Sequence, residues 1–595
     1  MMYKLIKTKR SSLDITRIKR NSAHNRLPSQ GTAVFQFVYE DGNDEILELD
    51  IVRKEDIYRS IYEGKTVNLD YCYIEDFSLG EIDINKICNS KDRKIPIIGF
   101  TAFSAFFNLK ENKRIAFDNA IFKNRTIDFR NCKFGDGNIS FKDSEFIARQ
   151  VDFRNTNFGT GNINFENVKF YNKCIDFREA HFSNGDVSFK FADFRGSSYF
   201  NNVKFKTGNI SFNRASFGGQ SVSFKGAEFG NGDLDFSCTT FMPSRKDKIQ
   251  HMSIDFTRSI FGKGEISFRQ SYAESSNITF KDNHFYDYVN MQFAYCRFLE
   301  IIECRIENVL NLNPTKYIPV DIKRIDILNT IILGQIRLDW YKNNVKKLIY
   351  KQDKSTTFME KAEQFRMLKE NFSNLGQYDD EDESYLEYRK CEIKSRLYDE
   401  IETPKRASKR KIKLINYKNS LNQRVNFYKN KLNNQARSHI LDYIKYLIAL
   451  NKLYLIRPIE SMRYFLKWLI FYKIGGFGTK PRNVFITMLI VVCAFAVLFT
   501  FIPFFEFNVG ALNEINILGS DNSRRITHQL FSIEVGNIKN LINSFYYSGI
   551  TFLTIGYGDI HPLNTPTKLL SIFEGFLGIF LMSYFTVSFV RKLLR

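Results

Sequence analysis

The stretch of this 595-residue chain with the most specific chemistry is TIGYGD, residues 554–559. It carries little side-chain chemistry; what it offers is backbone. If successive carbonyls are to point one way, alternate residues must take dihedrals near the left-handed region, which Gly556 and Gly558 adopt cheaply. The carbonyls of Thr554, Ile555, Gly556 and Tyr557, closed into a ring by symmetry, can replace the water shell of a bare cation. The Thr554 hydroxyl adds a further oxygen. Ile555 and Tyr557 then point outward and wedge the ring against its neighbours, and Asp559 ends the row. Elsewhere catalytic spacing is missing. There is no phosphate-cradling loop and no Ser/His/Asp set, and His439, His528 and His561 stand isolated. The nine cysteines form no CxxC and no zinc-type spacing. Neither an enzyme activity nor a cofactor is expected, and the only metal is the cation in transit.

Such a row must be held by rigid elements. Leu541 to Leu553 can form a short apolar helix that aims its negative C-terminal end at the row, favouring a cation. On its N-terminal side, 484–505 are 22 residues without a charge. As a helix they reach about 33 Å, enough for a hydrocarbon core of roughly 30 Å. On the other side, 569–590 form a second such run, broken only by Glu574. A re-entrant segment between two spans is tolerated where it lines a wet path. Glu574 is open to two readings: a functional carboxylate within a span, or, the reading favoured here, a structural partner for the pore helix of a neighbouring subunit. Both outer flanks are basic, with Lys480 and Arg482 before the first span and Arg591, Lys592 and Arg595 after the second. The positive-inside rule therefore puts both termini in the cytoplasm.

These residues resemble the selectivity filter of two-transmembrane, pore-loop potassium channels. The family pattern Thr-x-Gly-Tyr-Gly-Asp is met by Thr554 to Asp559, and a proline three places on by Pro562. The resemblance implies potassium selectivity, a homotetramer in the plasma (inner) membrane, and potassium passing at Thr554, Ile555, Gly556 and Tyr557. It makes Gly578, nineteen places after Asp559, a bending point, with Met582 and Thr586 lining the inner cavity. The paired aromatics of the family's pore helix are matched by Tyr546 and Tyr547. One position departs: where some members carry a glutamate partner for the filter aspartate, this chain has Ile550.

The formal charge of +21 is concentrated. Residues 405–482 hold 19 Lys and Arg against Asp442 and Glu460 alone. Placed just before a span, a cluster such as Lys405, Arg406, Lys409, Arg410 and Lys411 reads as a contact for anionic lipid rather than nucleic acid. An amphipathic segment, 464–472, can lie along the inner surface.

The long N-terminal part is periodic. IDFRNCKFGDGN begins at Ile127, VDFRNTNFGTGN at Val151, and the unit recurs every 12 residues. Anchors run Ile115, Ile127, Ile139, Val151, Ile163, Ile175 and Val187, shift by eleven to Ser198, and continue through Ile210, Val222 and Leu234. After an insert containing PSRKDKIQ come Ile254, Ile266, Ile278 and Met291. Phe follows each anchor up to Ile278 by two places, and nearly always again by seven. A fixed period of this kind means a solenoid whose stacked Phe form the core. The units resemble pentapeptide-repeat proteins, which implies a right-handed parallel β-helix. The two-residue spacer departs from continuous fives and leaves the coil shape open, with 24 residues per turn as one candidate. Some pentapeptide proteins mimic DNA with an acidic face; here 127–289 hold 21 basic against 19 acidic residues, which disfavours that role.

The expected layout is a region without a readable fold at 1–64, a β-solenoid over 65–345, a helical hairpin over 346–400, a basic juxtamembrane linker over 401–482 and an all-α pore domain over 483–595. In the hairpin, SNLGQYDDED is expected to separate helices, the second beginning at Tyr385. The solenoid is free to bind a protein or small-molecule ligand and to regulate the pore. The competing reading is a membrane-anchored scaffold with a vestigial pore.

Overall fold

The computed structural model describes residues 2–9, 27–39, 42–87, 94–110, 114–182, 184–243, 251–352, 355–398, 420, 423, 468–501, 514–515, 528–529, 538–562 and 565–594. It divides into two compact units, Met1–Thr356 with Arg366–Asp380, and Thr357–Phe365 with Glu381–Arg595.

The first unit is a parallel β-solenoid over 50–337, of about 11 turns. The pairing fixes the coil. Ile127 lies beside Val151, Val151 beside Ile175, and Ile139 beside Ile163, so two 12-residue units make one 24-residue turn. The eleven-residue step is absorbed within one coil, where Ile175 pairs with Ser198. The insert lengthens another, where Val222 pairs with Ile254; residues 244–250 of the insert lie outside the described set.

Because coils repeat at the strand spacing of about 4.8 Å, equivalent Phe rings stack face to face. From Phe117 through Phe141, Phe165, Phe189, Phe212 and Phe236 to Phe268, the centroids are 4.7–4.9 Å apart and the planes within 5°. A parallel column from Phe129 to Phe280 stacks at 4.7–5.0 Å with planes within 9°, and the two columns meet edge to face, as at Phe141 and Phe153. Four places after each anchor from Ile115 to Ser198 the chain turns a corner with φ of 53–60°, from Asn119 and Asn131 to Asn202. Asn and Asp tolerate that conformation best, and they fill most of these corners. The small hydroxyl residues before the second Phe are buried donors. Ser144, Thr156 and Thr239 each bond a Phe carbonyl of the preceding coil at 2.7–2.8 Å. On one edge Arg130 and Arg154 pair with Asp128 and Asp152 at 2.7 Å and reach toward the next coil's aspartate at 3.8 and 3.6 Å.

Both ends of the stack are closed. The N-terminal region, unreadable from its sequence, is an antiparallel meander of β1 (Met2–Lys9), β2 (Thr32–Val38) and β3 (Asp44–Ile51). Then β3 pairs in parallel with the solenoid strand Cys72–Glu75, and the short helix α1 (Lys54–Tyr62) follows it in the chain. Ala33, Phe35, Phe37 and Leu49 bury against Phe106. At the other end, past α2 (Val345–Tyr350), α3 (Phe358–Asn374) supplies Asn371. Its side-chain amide pairs with Ile336 as a strand would, accepting from the N–H at 2.8 Å and donating to the carbonyl at 2.9 Å. An exposed strand edge is thus closed by a side chain.

The break between α3 and the next helix, α4 (Tyr378–Tyr398), is shorter than expected. It is confined to residues 375–377, with Gly376 at φ 69°. The acidic run belongs to the first turns of α4, not to the loop, because carboxylates are favoured near a helix N-terminus.

In the second unit α5 (Pro481–Phe501), α6 (Ile538–Phe552) and α7 (Thr565–Leu593) pack together. Phe495 and Phe499 of α5 bury against Tyr547 and Ile550 of α6, and Val484 and Leu581 against Phe552. Pro481 starts α5, where its missing N–H costs nothing. Residues 502–505 of the expected first span lie outside the described set, as does 464–467 of the amphipathic segment. Trp468–Ile474 form a π-helical turn.

Candidate functional site

The hydrogen-bonding of α6 runs out at the second residue of the TIGYGD row, at Ile555 N–H to the Ile550 carbonyl, 2.9 Å. Along the row the backbone alternates. Thr554, Gly556 and Gly558 stand at φ 55°, 58° and 81°, while Ile555 and Tyr557 do not. A Cβ on Gly556 or Gly558 would meet nothing within 4 Å, so backbone conformation, not space, is what asks for glycine there. Thr554 pays the left-handed strain as a β-branched residue, which the sequence pattern alone did not indicate. Its hydroxyl lies 2.7 Å from the Leu553 carbonyl.

Around the row, the aspartate is held. Tyr546 Oη donates to Asp559 Oδ2 at 2.7 Å, so an aromatic hydroxyl serves where Ile550 offers no carboxyl. Ile550 instead faces the apolar cluster with Phe495 and Phe499. Ile555 and Tyr557 are exposed on the single chain, at 47 % and 70 %.

One face of α7 runs along α6. Ser571 Oγ and Tyr547 Oη are 2.7 Å apart; three residues on, Glu574 binds Ser548; four further, Gly578 is buried where a Cβ would collide with the Phe552 carbonyl oxygen. Gly578 lies in an uninterrupted helix and makes close contact there. Met582 and Thr586, one turn apart, are exposed on the single chain. The sequence reading gave Glu574 to the pore helix of a neighbouring subunit; on the single chain its partner is Ser548 of the same chain's α6. The rest of the seam was not read, although Ser571, Glu574 and Gly578 at helical spacing are its signal.

At the other end of the spans, Gly475 to Gly478 make a tight turn with Gly476, Phe477 and Gly478 at φ 54°, 54° and 86°. A Cβ on Gly475 would lie 2.6 Å from the Tyr584 ring. Lys405, Arg406, Lys409, Arg410 and Lys411 lie outside the described residues. Among the described residues no group of His, Cys, Asp or Glu could hold a metal ion.

Pro481–Thr500 and Thr565–Leu593 are long and apolar enough to cross a bilayer. Most of their surface faces away from the chain; Ile490, Ile572 and Phe576 are 60–69 % exposed. Two spanning helices around a shorter helix that ends in alternating left-handed backbone make a two-span pore-loop domain. Residues 525–595 match the model of a protein family described as Ion channel. This part of the chain is an ion-channel domain, and the protein is a membrane protein carrying a β-solenoid. Comparison with curated proteins and with solved structures gave no match.

Proposed function

We propose that the chain is the subunit of a potassium-selective channel in the plasma (inner) membrane, with four copies around one axis and both termini in the cytoplasm. The observation that carries the reading is the left-handed φ at Thr554, Gly556 and Gly558, the alternation that a row of carbonyls pointing one way requires. Potassium is coordinated by rings of such oxygens, one row from each of four chains. The exposure of Ile555 and Tyr557 supports the tetramer, since neighbouring copies give those side chains something to pack against. The basic segment around Lys405 to Lys411 contacts anionic lipid, and the solenoid is the regulatory or partner-binding part. The full-length protein in liposomes tests this by reversal potentials in mixed potassium and sodium. A potential near the potassium equilibrium value is expected. Equal permeability removes the selectivity, and no flux at all leaves the solenoid on a membrane anchor.

A further inference from the structure

Glu574 is a carboxyl inside a span with no exposed surface. Among the described residues it makes no ion pair. Its contact is Ser548, also fully buried, at the middle of α6. The Ser548 hydroxyl lies within hydrogen-bond distance of a second oxygen, the Val492 carbonyl on α5, at 2.9 Å.

The count of hydrogens decides what this triad is. A serine hydroxyl brings one hydrogen and can also accept; a backbone carbonyl only accepts; an ionised carboxylate only accepts. Ser548 between two acceptors satisfies one of them. Both contacts are made when Ser548 donates to Val492 and accepts from a carboxyl that carries its own hydrogen. A serine inside a helix ordinarily turns its hydroxyl back to its own preceding turn. Ser548 instead reaches out to another helix, so the triad ties α5, α6 and α7 together at one point. That point is six residues before Thr554. One turn along α7, Gly578 lies against the Phe552 carbonyl, two residues before Thr554.

We propose that Glu574 is a positioning residue for the ion path: as a hydrogen-bond donor to Ser548 it fixes the seat of α6 on the two spans, and with it the placement of the carbonyl row. The proposal rests on the potassium-channel reading. It gives the pore helix a second brace, from the inner helix, beside the Tyr546–Asp559 bond that the pore helix makes itself.

The test is the permeability ratio of sodium to potassium for full-length protein in liposomes, with tetramer yield measured alongside. Glu574→Leu removes the donor at similar bulk, and Ser548→Ala removes the bridge with little change in volume. Each is expected to raise the ratio roughly tenfold, the scale of one buried hydrogen bond lost. Glu574→Gln, whose amide can donate in the same place, is expected to recover the ratio to within about twofold of the unmodified protein. If Glu574→Leu fails to assemble, Ser548→Ala and Glu574→Gln still decide. Full selectivity in Ser548→Ala overturns the brace. A Glu574→Gln ratio as poor as that of Ser548→Ala overturns the donor role. Unmodified protein that does not distinguish the two ions overturns the channel reading itself, which none of the variant outcomes does.

Discussion

The solenoid and the pore domain answer the same physical demand in opposite ways. In the solenoid each coil finds its partner within the chain, one coil on, at 24 residues in the regular repeats. Phe165 stacks on Phe141 and on Phe189, Thr156 donates to Phe129, and even the last strand is met by Asn371. In the pore domain the chain leaves its most specific residues without such partners. Ile555 and Tyr557 are exposed, and so are the outer faces of α5 and α7. A folded chain with that much bare apolar surface marks contacts with lipid or with other copies. Repetition therefore stabilises the first region locally, so that one coil can be altered with the damage confined to its neighbours. In the proposed tetramer the second region gains its function from symmetry, and one altered residue is altered in every copy at once.

The sharpest way to break that contrast is at Gly556. Its φ of 58° leaves open space around a would-be Cβ, so alanine there is penalised by backbone conformation, about 1–2 kcal/mol per copy. Summed around the proposed ring of four, this is expected to shift the row away from its conducting geometry. Gly556→Ala is expected to abolish potassium flux while the protein still reaches the membrane in normal amount. Normal current from purified Gly556→Ala channels would show that the row does not line the path.

The matching change in the solenoid is Phe189→Ala. Phe189 is fully buried between Phe165 and Phe212, and its loss opens a cavity costing about 3–5 kcal/mol. Amide hydrogen exchange on the full-length protein is expected to show lost protection in the strands around 163–164, 187–188 and 210–211. The distant coils near Phe280, and potassium flux, should change far less. Unfolding of the whole stack from this one substitution would mean that the solenoid behaves as a single cooperative body rather than a sum of coils.

What could be read from the sequence follows the same division. The anchors and both Phe positions of the unit were legible because each repeat writes the same contact again, while the columns they form follow from two units making one coil. Gly556 and Gly558 were legible because few residues tolerate their dihedrals. The alternation of Ala33, Phe35 and Phe37 was present but occurs once, next to residues of no clear pattern, and β1 to β3 went unread. Thr554 in a left-handed conformation, the Tyr546 hydroxyl on Asp559 and the Ser548–Glu574 contact were not legible as contacts. Each depends on how α6 and α7 cross, and a helical period fixes a face without fixing what it meets. The acidic run at residues 379–383, expected in the break, lies in the first turns of α4, because the turn residues before it end the break at Gln377.

The smallest expected effect lies where α4 meets the ends of the spans. Glu383 binds Lys480, just before α5, at 3.0 Å, and its neighbour Asp382 approaches Arg591, near the end of α7, at 3.5 Å. Arg591 also lies over the Tyr385 ring at 4.5 Å. Further along α4, Lys390 sits over Tyr472 at 4.3 Å; burial works against its charge, but Glu387 and Tyr472 hold its pKa above the ordinary value. Two adjacent carboxylates of one helix thus hold the ends of both spans, and any displacement of α4 is felt by α7. The Asp382 and Arg591 side chains keep 11 % and 27 % of their surface, which puts the pair above a solvated surface bridge. A coupling of about 1 kcal/mol follows, at the upper end for such pairs. Asp382→Lys and Arg591→Asp are each expected to change the ratio of open to closed time by roughly fivefold, and the double reversal to restore it, with selectivity unchanged throughout. Single-channel records of the four proteins check this. Effects of the two reversals that simply add would show that the pair does not join α4 to the inner helix, and that control of the pore enters by another route.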